Sequence, residues 1–202
     1  MQNNLTEIAF ILDRSGSMQS MHDVAVEGFN KFLVDQQKDQ EEVRLSLLLF
    51  DHEFTPAFES VPVSELTPMT MEDFEPRGCT ALLDAIGQTI DDLGKRLNDM
   101  PEEKRPNHVI VAILTDGMEN ASERYSLKDI HKRISHQQEK YQWEFLFLSS
   151  DLKAIDLAKD VGVLKENRVA FEGSRKGFRR ASQTSIDTLR EMKERRRRRR
   201  NS

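Results

Sequence analysis

Short runs of consecutive apolar residues alternate along this chain with longer segments in which apolar residues recur at helical spacing. The runs at 8–12 and 109–114 are apolar throughout, which is typical of strands covered on both faces of a parallel sheet. Between them, Leu82, Ile86 and Ile90 recur at every fourth position, as on the buried face of a helix. Strands and helices are therefore predicted to follow one another along most of the chain.

The alternating pattern predicts six strands, with helices between most of them. The strands are expected at residues 8–12, 43–50, 53–58, 109–114, 143–148 and 167–171. The second and third are close enough to form a hairpin, and Pro56 is tolerable only if the third is an edge strand. We expect an α/β fold with a doubly wound, mostly parallel six-stranded sheet, one antiparallel edge strand and helices on both faces, as in Rossmann-like folds.

The charge of the chain is unevenly distributed along its 202 residues, a length that suits one sizeable α/β domain. The net charge is −5, but residues 174–202 contain 12 Lys and Arg against 3 acids, which gives +9 there and −14 over residues 1–173. We expect residues 1–173 to form the core of the domain and residues 174–194 to form its last helix. Residues 195–202 are predicted to be a disordered arginine-rich tail.

Six consecutive arginines, from Arg195 to Arg200, make up most of that tail. Because like charges repel, we expect them to hold the tail in an extended form. Such a tail could bind nucleic acid or another acidic surface by nonspecific electrostatics. Two further possibilities are that it holds an acidic partner, or that it folds back on the acidic body of its own chain.

Three features bear on the compartment in which the chain works. No apolar stretch approaches the roughly 20 residues of a membrane span. The first residues lack the basic segment followed by an apolar one that marks a secretory signal. Cys79 is the single cysteine, so no internal disulfide can form, which agrees with a reducing compartment. These features predict a cytoplasmic location.

The pentapeptide Asp-Arg-Ser-Gly-Ser at 13–17 follows the first apolar run directly, and core packing gives no reason for it. If Gly16 lets the chain turn tightly, Asp13, Ser15 and Ser17 can all face one crevice at the end of the strand. Carboxylate and hydroxyl oxygens are hard ligands that suit Mg²⁺, Mn²⁺ or Ca²⁺. Alternatively, Asp13 or Ser17 only caps the next helix. The pentapeptide alone leaves these two interpretations about equal.

Two other residues are predicted to lie near this crevice. Thr80 stands in the loop before a predicted helix, and Asp116 ends the strongest apolar run of the chain. In a doubly wound sheet the first strand lies beside the strand that follows the crossover. Asp13 and Asp116 should therefore be neighbours at one edge of the sheet, with Thr80 close to both.

This set of residues resembles the metal-ion-dependent adhesion site of the von Willebrand factor A domain family, also called integrin I-like domains. The pattern is Asp-x-Ser-x-Ser, then a threonine in a glycine-containing loop, then an aspartate followed by glycine. The matching residues are Asp13, Ser15, Ser17, Thr80 and Asp116. The resemblance extends from about Thr6 to the last helix. It implies that the three hydroxyl groups contact a divalent ion and that the two carboxylates often act through water.

The resemblance also implies a function. It indicates a stand-alone intracellular domain, without enzymatic activity, that binds a protein partner when an Asp or Glu of the partner takes the open position on the ion. Mg²⁺ is the usual ion of the family, with Mn²⁺ and Ca²⁺ as alternatives. A bacterial or phage setting is implied, with an AAA-type ATPase or a stress-response protein as partner. Cys79 stands where many members have a second glycine, and this departure removes no ligand.

Two other classes of function remain open at this point. A magnesium-dependent phosphohydrolase of haloacid-dehalogenase type also begins with a strand that ends in Asp, but its usual second Asp is replaced here by Ser15. The chain contains neither of the glycine-rich patterns that bind nucleotide phosphates. The third class is a nucleic-acid-associated protein that acts through Arg195 to Arg200.

Overall fold

The apolar runs form adjacent strands of one sheet in the computed structural model, which describes residues 4–201. The strands are β1 (Leu5–Asp13), β2 (Glu42–Phe50), β3 (Phe54–Pro62), β4 (His108–Thr115), β5 (Glu144–Ser149) and β6 (Arg168–Ala170). The helices are α1 (His22–Gln36), α2 (Leu82–Asp99), α3 (Leu127–Tyr141), α4 (Leu152–Asp160) and α5 (Arg175–Asn201). None of the helices in the described part of the chain combines the length and the apolar character that crossing a bilayer requires.

The six strands are ordered β3-β2-β1-β4-β5-β6 across the sheet. β1 pairs in parallel with both β2 and β4, and the parallel pairing continues through β5 to β6. Only β3 runs antiparallel, and its Pro56 lies opposite Leu48 at the edge of the sheet. The predicted doubly wound fold with one antiparallel edge strand is therefore confirmed.

Two hydrophobic layers cover the sheet, one on each face. Ile8, Phe10 and Leu12 of β1 pack in the layer that includes α1 and α5. The intervening Ala9 and Ile11 pack in the layer that includes α2, α3 and α4. Because every residue of β1 is buried, its sequence shows no apolar–polar alternation.

The last helix departs from the prediction. The arginines expected in a disordered tail continue α5 as far as Asn201, and Ser202 lies outside the described residues. Two of them pair with carboxylates at the amino edge of the sheet, where the strands begin: Arg195 with Glu144, and Arg197 with Asp39 and Glu41. These carboxylates offset the repulsion between arginines, and arginine itself has a high helix propensity. The structure therefore corresponds to the possibility that the arginines fold back on the acidic body.

Candidate metal centre

Three loops meet at the carboxyl edge of the sheet, where β1 and β4 end. The main-chain N–H of Gly16, after β1, donates to the carbonyl of Gly78 at 3.1 Å. The N–H of Asn120, after β4, donates to the carbonyl of Thr80 at 3.0 Å. The segment that carries Thr80 is thus held between the other two loops, and all five predicted site residues lie on these loops.

The side-chain oxygens of these loops converge on one point. Ser15 Oγ and Ser17 Oγ are 3.1 Å apart, and Ser17 Oγ donates to Asp116 Oδ1 at 2.6 Å. A Cβ atom on Gly117 would lie 3.1 Å from Thr80 Oγ1, 3.3 Å from Ser17 Oγ and 3.7 Å from Ser15 Oγ. Glycine at this position therefore leaves room between three hydroxyl groups that face one another beside the Asp116 carboxylate.

Asp13 is the most deeply placed member of the set, with no exposed surface. Its Oδ1 accepts a hydrogen bond from the main-chain N–H of Ser15 at 2.6 Å, and its Oδ2 accepts one from Thr115 Oγ1 at 2.5 Å. Both oxygens thus accept hydrogen bonds from the loops, and the bond from the Ser15 N–H allows Asp13 to orient Ser15. Sequence reasoning missed Thr115, for which the only signal is its position directly before Asp116 at the end of a buried strand.

The two carboxylates of the centre have no basic partner. No ion pair forms with Asp13 or Asp116 within residues 4–201. Burial raises the pKa of Asp13 to about 6, although hydrogen bonds from Thr115 and Ser15 oppose the shift. Burial also raises the pKa of Asp116, against the hydrogen bond from Ser17. Because a nearby positive charge would favour both carboxylates, and because the donors are all hard oxygens, the site suits a divalent cation.

Gly78 is the glycine that the loop conformation requires. Its φ is +68°, in the left-handed region, and a Cβ there would lie 2.2 Å from Nδ1 of His52. Gly16 does not adopt a positive φ, and a Cβ on it would make only an ordinary contact at 3.4 Å. The expectation that Gly16 supplies the freedom for the turn is therefore wrong. The adjacent Cys79 is exposed.

A second acidic cluster lies beside the centre and differs from it in charge. Asp51, His52 and Glu53 bring three ligand-type atoms within 4.8 Å of one another. The fully buried Asp51 accepts hydrogen bonds from Nε of both Arg14, at 3.0 Å, and Arg77, at 2.9 Å. Two guanidinium groups thus supply the positive charge that a metal ion would bring. We interpret this cluster as an ion-pair network that ties the loops together.

Glu119 and Asn120 fix the loops that carry the site. Asn120 Oδ1 accepts from the main-chain N–H of Thr80 at 2.9 Å, which positions the threonine hydroxyl. Glu119 Oε2 accepts from the N–H of Leu83 at 2.8 Å, in the first turn of α2. Their position four and five residues after β4 puts them near the site in the sequence, but gives no indication of these partners.

Comparison with known proteins gives no match to a family model and none to a curated protein. Solved structures do match. Proximal thread matrix protein 1 from the mussel byssus, in a form with a zinc-occupied MIDAS motif, is 16% identical with a TM-score of 0.59, over 94% of this chain and 47% of that chain. The pilus adhesin SpaC from Lactobacillus rhamnosus GG is 11% identical with a TM-score of 0.67, over 94% and 30%.

A von Willebrand factor type A structure from Catenulispora acidiphila is 13% identical with a TM-score of 0.57, over 92% of this chain and 42% of that chain. The chain thus spans less than half the length of each of these proteins. At such low identity the likeness concerns the fold, and it agrees with the sheet order described above. The chain therefore has the fold of a von Willebrand factor type A domain.

Proposed function

We propose that this chain is a non-enzymatic domain that binds a protein partner through a divalent cation at the candidate metal centre. The observation that carries the proposal is the convergence of three hydroxyl groups beside carboxylates that have no basic partner among the described residues. Ser15, Ser17 and Thr80 would hold the ion directly. Asp13 and Asp116 would act through water, and the engagement of both Asp13 oxygens within the loops supports this role for Asp13.

The nature of these ligands supports recognition of an acidic partner. Three neutral hydroxyl groups leave most of the charge of a divalent ion uncompensated, so an outside carboxylate is attracted to it. An Asp or Glu on the partner protein would supply that carboxylate. Mg²⁺ is the ion we propose, with Mn²⁺ and Ca²⁺ as alternatives that accept the same oxygens. The zinc-occupied MIDAS motif of the mussel protein supports ion binding in this fold.

The setting is proposed on the sequence and on the resemblance. A single cysteine, Cys79, supports a cytoplasmic location. The resemblance supports a bacterial or phage source and a partner that is an AAA-type ATPase or a stress-response protein. Among the matching solved structures, one is a pilus adhesin and another is a thread matrix protein of the byssus.

Calorimetric titration of Mg²⁺, Mn²⁺ and Ca²⁺ into chelator-treated protein tests the metal centre. We expect saturable binding to the wild type and its loss in Ser17→Ala and Asp116→Ala. Ser20→Ala is the matched control, since this exposed hydroxyl lies three residues beyond Ser17 and outside the converging set. The metal centre is contradicted if none of the three ions binds, or if Ser20→Ala loses binding as well.

A capture experiment tests the partner. Wild-type protein and Ser17→Ala are immobilised and exposed to an extract with Mg²⁺ or with chelator. A partner that binds through the ion is expected only with wild-type protein and Mg²⁺. Equal capture by both proteins in chelator would place the partner interface elsewhere.

The phosphohydrolase interpretation gains no support from the surroundings of Asp13. A nucleophilic carboxylate must reach its substrate, whereas Asp13 has no exposed surface and both of its oxygens accept hydrogen bonds. The acid expected two residues later is Ser15. We therefore expect no turnover of a generic phosphate ester in Mg²⁺, and turnover that is abolished by Asp13→Asn would overturn the binding proposal.

A further inference from the structure

A cavity of about 390 Å³ lies at the amino edge of the sheet, at the opposite end of the strands from the metal centre. Its walls come from the end of α3, the start of β5, the short turn at Lys165–Asn167 and the last part of α5. The volume falls within the range of small-molecule sites, roughly 300–1,000 Å³.

The cavity carries positive charge that its own walls do not neutralise. Among the described residues, the Arg196 guanidinium donates only to neutral acceptors, namely the main-chain oxygen of Asn107 at 2.7 Å and Oε1 of Gln142 at 2.6 Å. Arg199 also lines the cavity, and it makes no hydrogen bond or ion pair in the described part of the chain. Two guanidinium charges are therefore available to an anion.

The carboxylates in the walls offset this charge only in part. Glu144 accepts from Nε2 of His108 at 2.6 Å and pairs with Arg195 at 3.4 Å, so both of its oxygens are engaged. Glu166 is exposed at the rim. Three arginines against two glutamates leave the lining with a formal charge of +1.

A buried amide in the wall lacks a hydrogen-bond donor. Asn167 is only 2% exposed, and its Oδ1 has no partner. Burying a carbonyl oxygen without a hydrogen bond is unfavourable, so native proteins rarely leave one in this state. A ligand that presents an O–H or N–H group to this oxygen would satisfy it.

We propose that this cavity binds a small phosphate ester that also carries hydroxyl groups, the chemistry shared by sugar phosphates and nucleotides. A phosphate monoester is close to a dianion at neutral pH and matches the charges of Arg196 and Arg199. A hydroxyl group of the same ligand donates to Asn167 Oδ1. The cavity is larger than a phosphate group needs, which leaves room for the part of the ligand that carries the hydroxyl groups.

Calorimetry on the full chain in chelator tests this proposal independently of the metal centre. The probes are ribose 5-phosphate, AMP, inorganic phosphate and adenosine. We expect saturable binding of at least one ester and none of adenosine. Binding of AMP alone identifies a nucleotide site, and binding of ribose 5-phosphate identifies a sugar-phosphate site. The proposal is overturned if neither ester binds, or if inorganic phosphate binds as tightly as the esters.

Variants at the cavity distinguish binding by the residues that line it from nonspecific attraction to the positive charge of α5. Arg199→Gln should weaken ester binding roughly tenfold or more, because it removes a charge-assisted contact. Arg198→Gln is the matched control, since Arg198 is 81% exposed, pairs with Glu194 and does not line the cavity. Asn167→Leu should weaken ester binding, because it removes the oxygen that accepts a hydrogen bond from the hydroxyl group of the ligand. Equal losses in Arg198→Gln and Arg199→Gln would overturn the proposal.

Discussion

Two pairs of carboxylates, one pair at each edge of the sheet, differ in their electrostatic surroundings. At the carboxyl edge, Asp13 and Asp116 have raised pKa values and no basic partner in the described chain. At the amino edge, Asp39 and Glu144 have lowered pKa values. The same chemical group thus has opposite electrostatic surroundings at these two places, one at each edge of the sheet.

The difference comes from nearby basic side chains, most of them on the last helix, and not from burial. Burial alone raises the pKa of Asp39, as it does that of Asp13, but the nearby charge and hydrogen bond of Lys193 outweigh it. Glu144 is likewise disfavoured by burial and then favoured by His108 and Arg195. The donors to Asp13 are hydroxyl and main-chain N–H groups without charge, unlike the guanidinium groups that pair with the nearby Asp51. The protein thus supplies cations to Asp39 and Glu144, and it leaves Asp13 and Asp116 to receive one.

Removing the cation at the amino edge should have the largest effect on stability. Lys193 Nζ lies 2.9 Å from Asp39 Oδ2, and the lysine side chain is 3% exposed. Lys193→Ala removes the buried member of the pair and leaves Asp39 with the more exposed Arg197, so we expect the free energy of unfolding to fall by about 3 kcal/mol in urea denaturation. Arg179→Ala breaks an exposed pair with Glu27 and should have a much smaller effect. Equal losses would mean that burial does not distinguish the two pairs.

Adding a cation at the carboxyl edge should stabilise the protein by a comparable amount. A ligand that binds only the folded state adds about 2.7 kcal/mol when its concentration is a hundred times its dissociation constant. We therefore expect Mg²⁺ to raise the thermal midpoint of chelator-treated wild type, whereas Ser17→Ala should not respond. A similar rise in both proteins would indicate an ion bound elsewhere.

Neutralising one aspartate at each edge should change stability in opposite directions. In chelator at pH 7, Asp13→Asn removes a disfavoured buried charge, so its raised pKa sets an upper limit of about 3 kcal/mol on the gain in stability that we expect. Asp39→Asn removes a carboxylate that Lys193 and Arg197 favour, so it should lower stability. Urea denaturation measures both variants, and changes of the same sign would contradict the contrast between the edges.

The pH dependence of the free energy of unfolding should also differ between the two edges, with a small effect per pH unit. Asp13 has a pKa of about 6 in the folded protein against 3.8 for the unfolded reference, so the folded state binds more protons between these values. As pH rises from 4 to 6, the free energy of unfolding of metal-free wild type should therefore fall relative to that of Asp13→Asn. The fall should be no more than about 1.4 kcal/mol per pH unit. Asp39, with a lowered pKa, should lose its contribution only as pH falls below about 4. Parallel pH profiles of wild type and Asp13→Asn would contradict this assignment.

Much of the fold could be predicted from local patterns. The continuous apolar residues of β1 and β4 identify strands buried on both faces, and the alternation with helices leads to a doubly wound sheet. That topology places the end of β1 beside the end of β4, which brings Asp13 close to Asp116 before any distance is known.

The features that could not be predicted depend on partners far away in the chain. In the sequence, six adjacent arginines indicate disorder. In the structure, Arg197 forms a hydrogen bond with Asp39, which lies 158 residues earlier. The bond from Thr115 to Asp13 joins residues 102 positions apart. The left-handed conformation at Gly78 follows from its contacts with the neighbouring loops, and no local signal distinguished it from Gly16.

The direction in which the chain leaves the domain follows from α5. Its 27 residues span about 40 Å at 1.5 Å per residue, and its last described turn lies at the amino edge. β1 also begins at that edge, at Leu5. A tether or a fusion partner attached at either end would therefore emerge on one side of the molecule. A domain anchored in this way presents its metal centre outward, away from the support, whether the support is a neighbouring domain or the surface of a sensor chip.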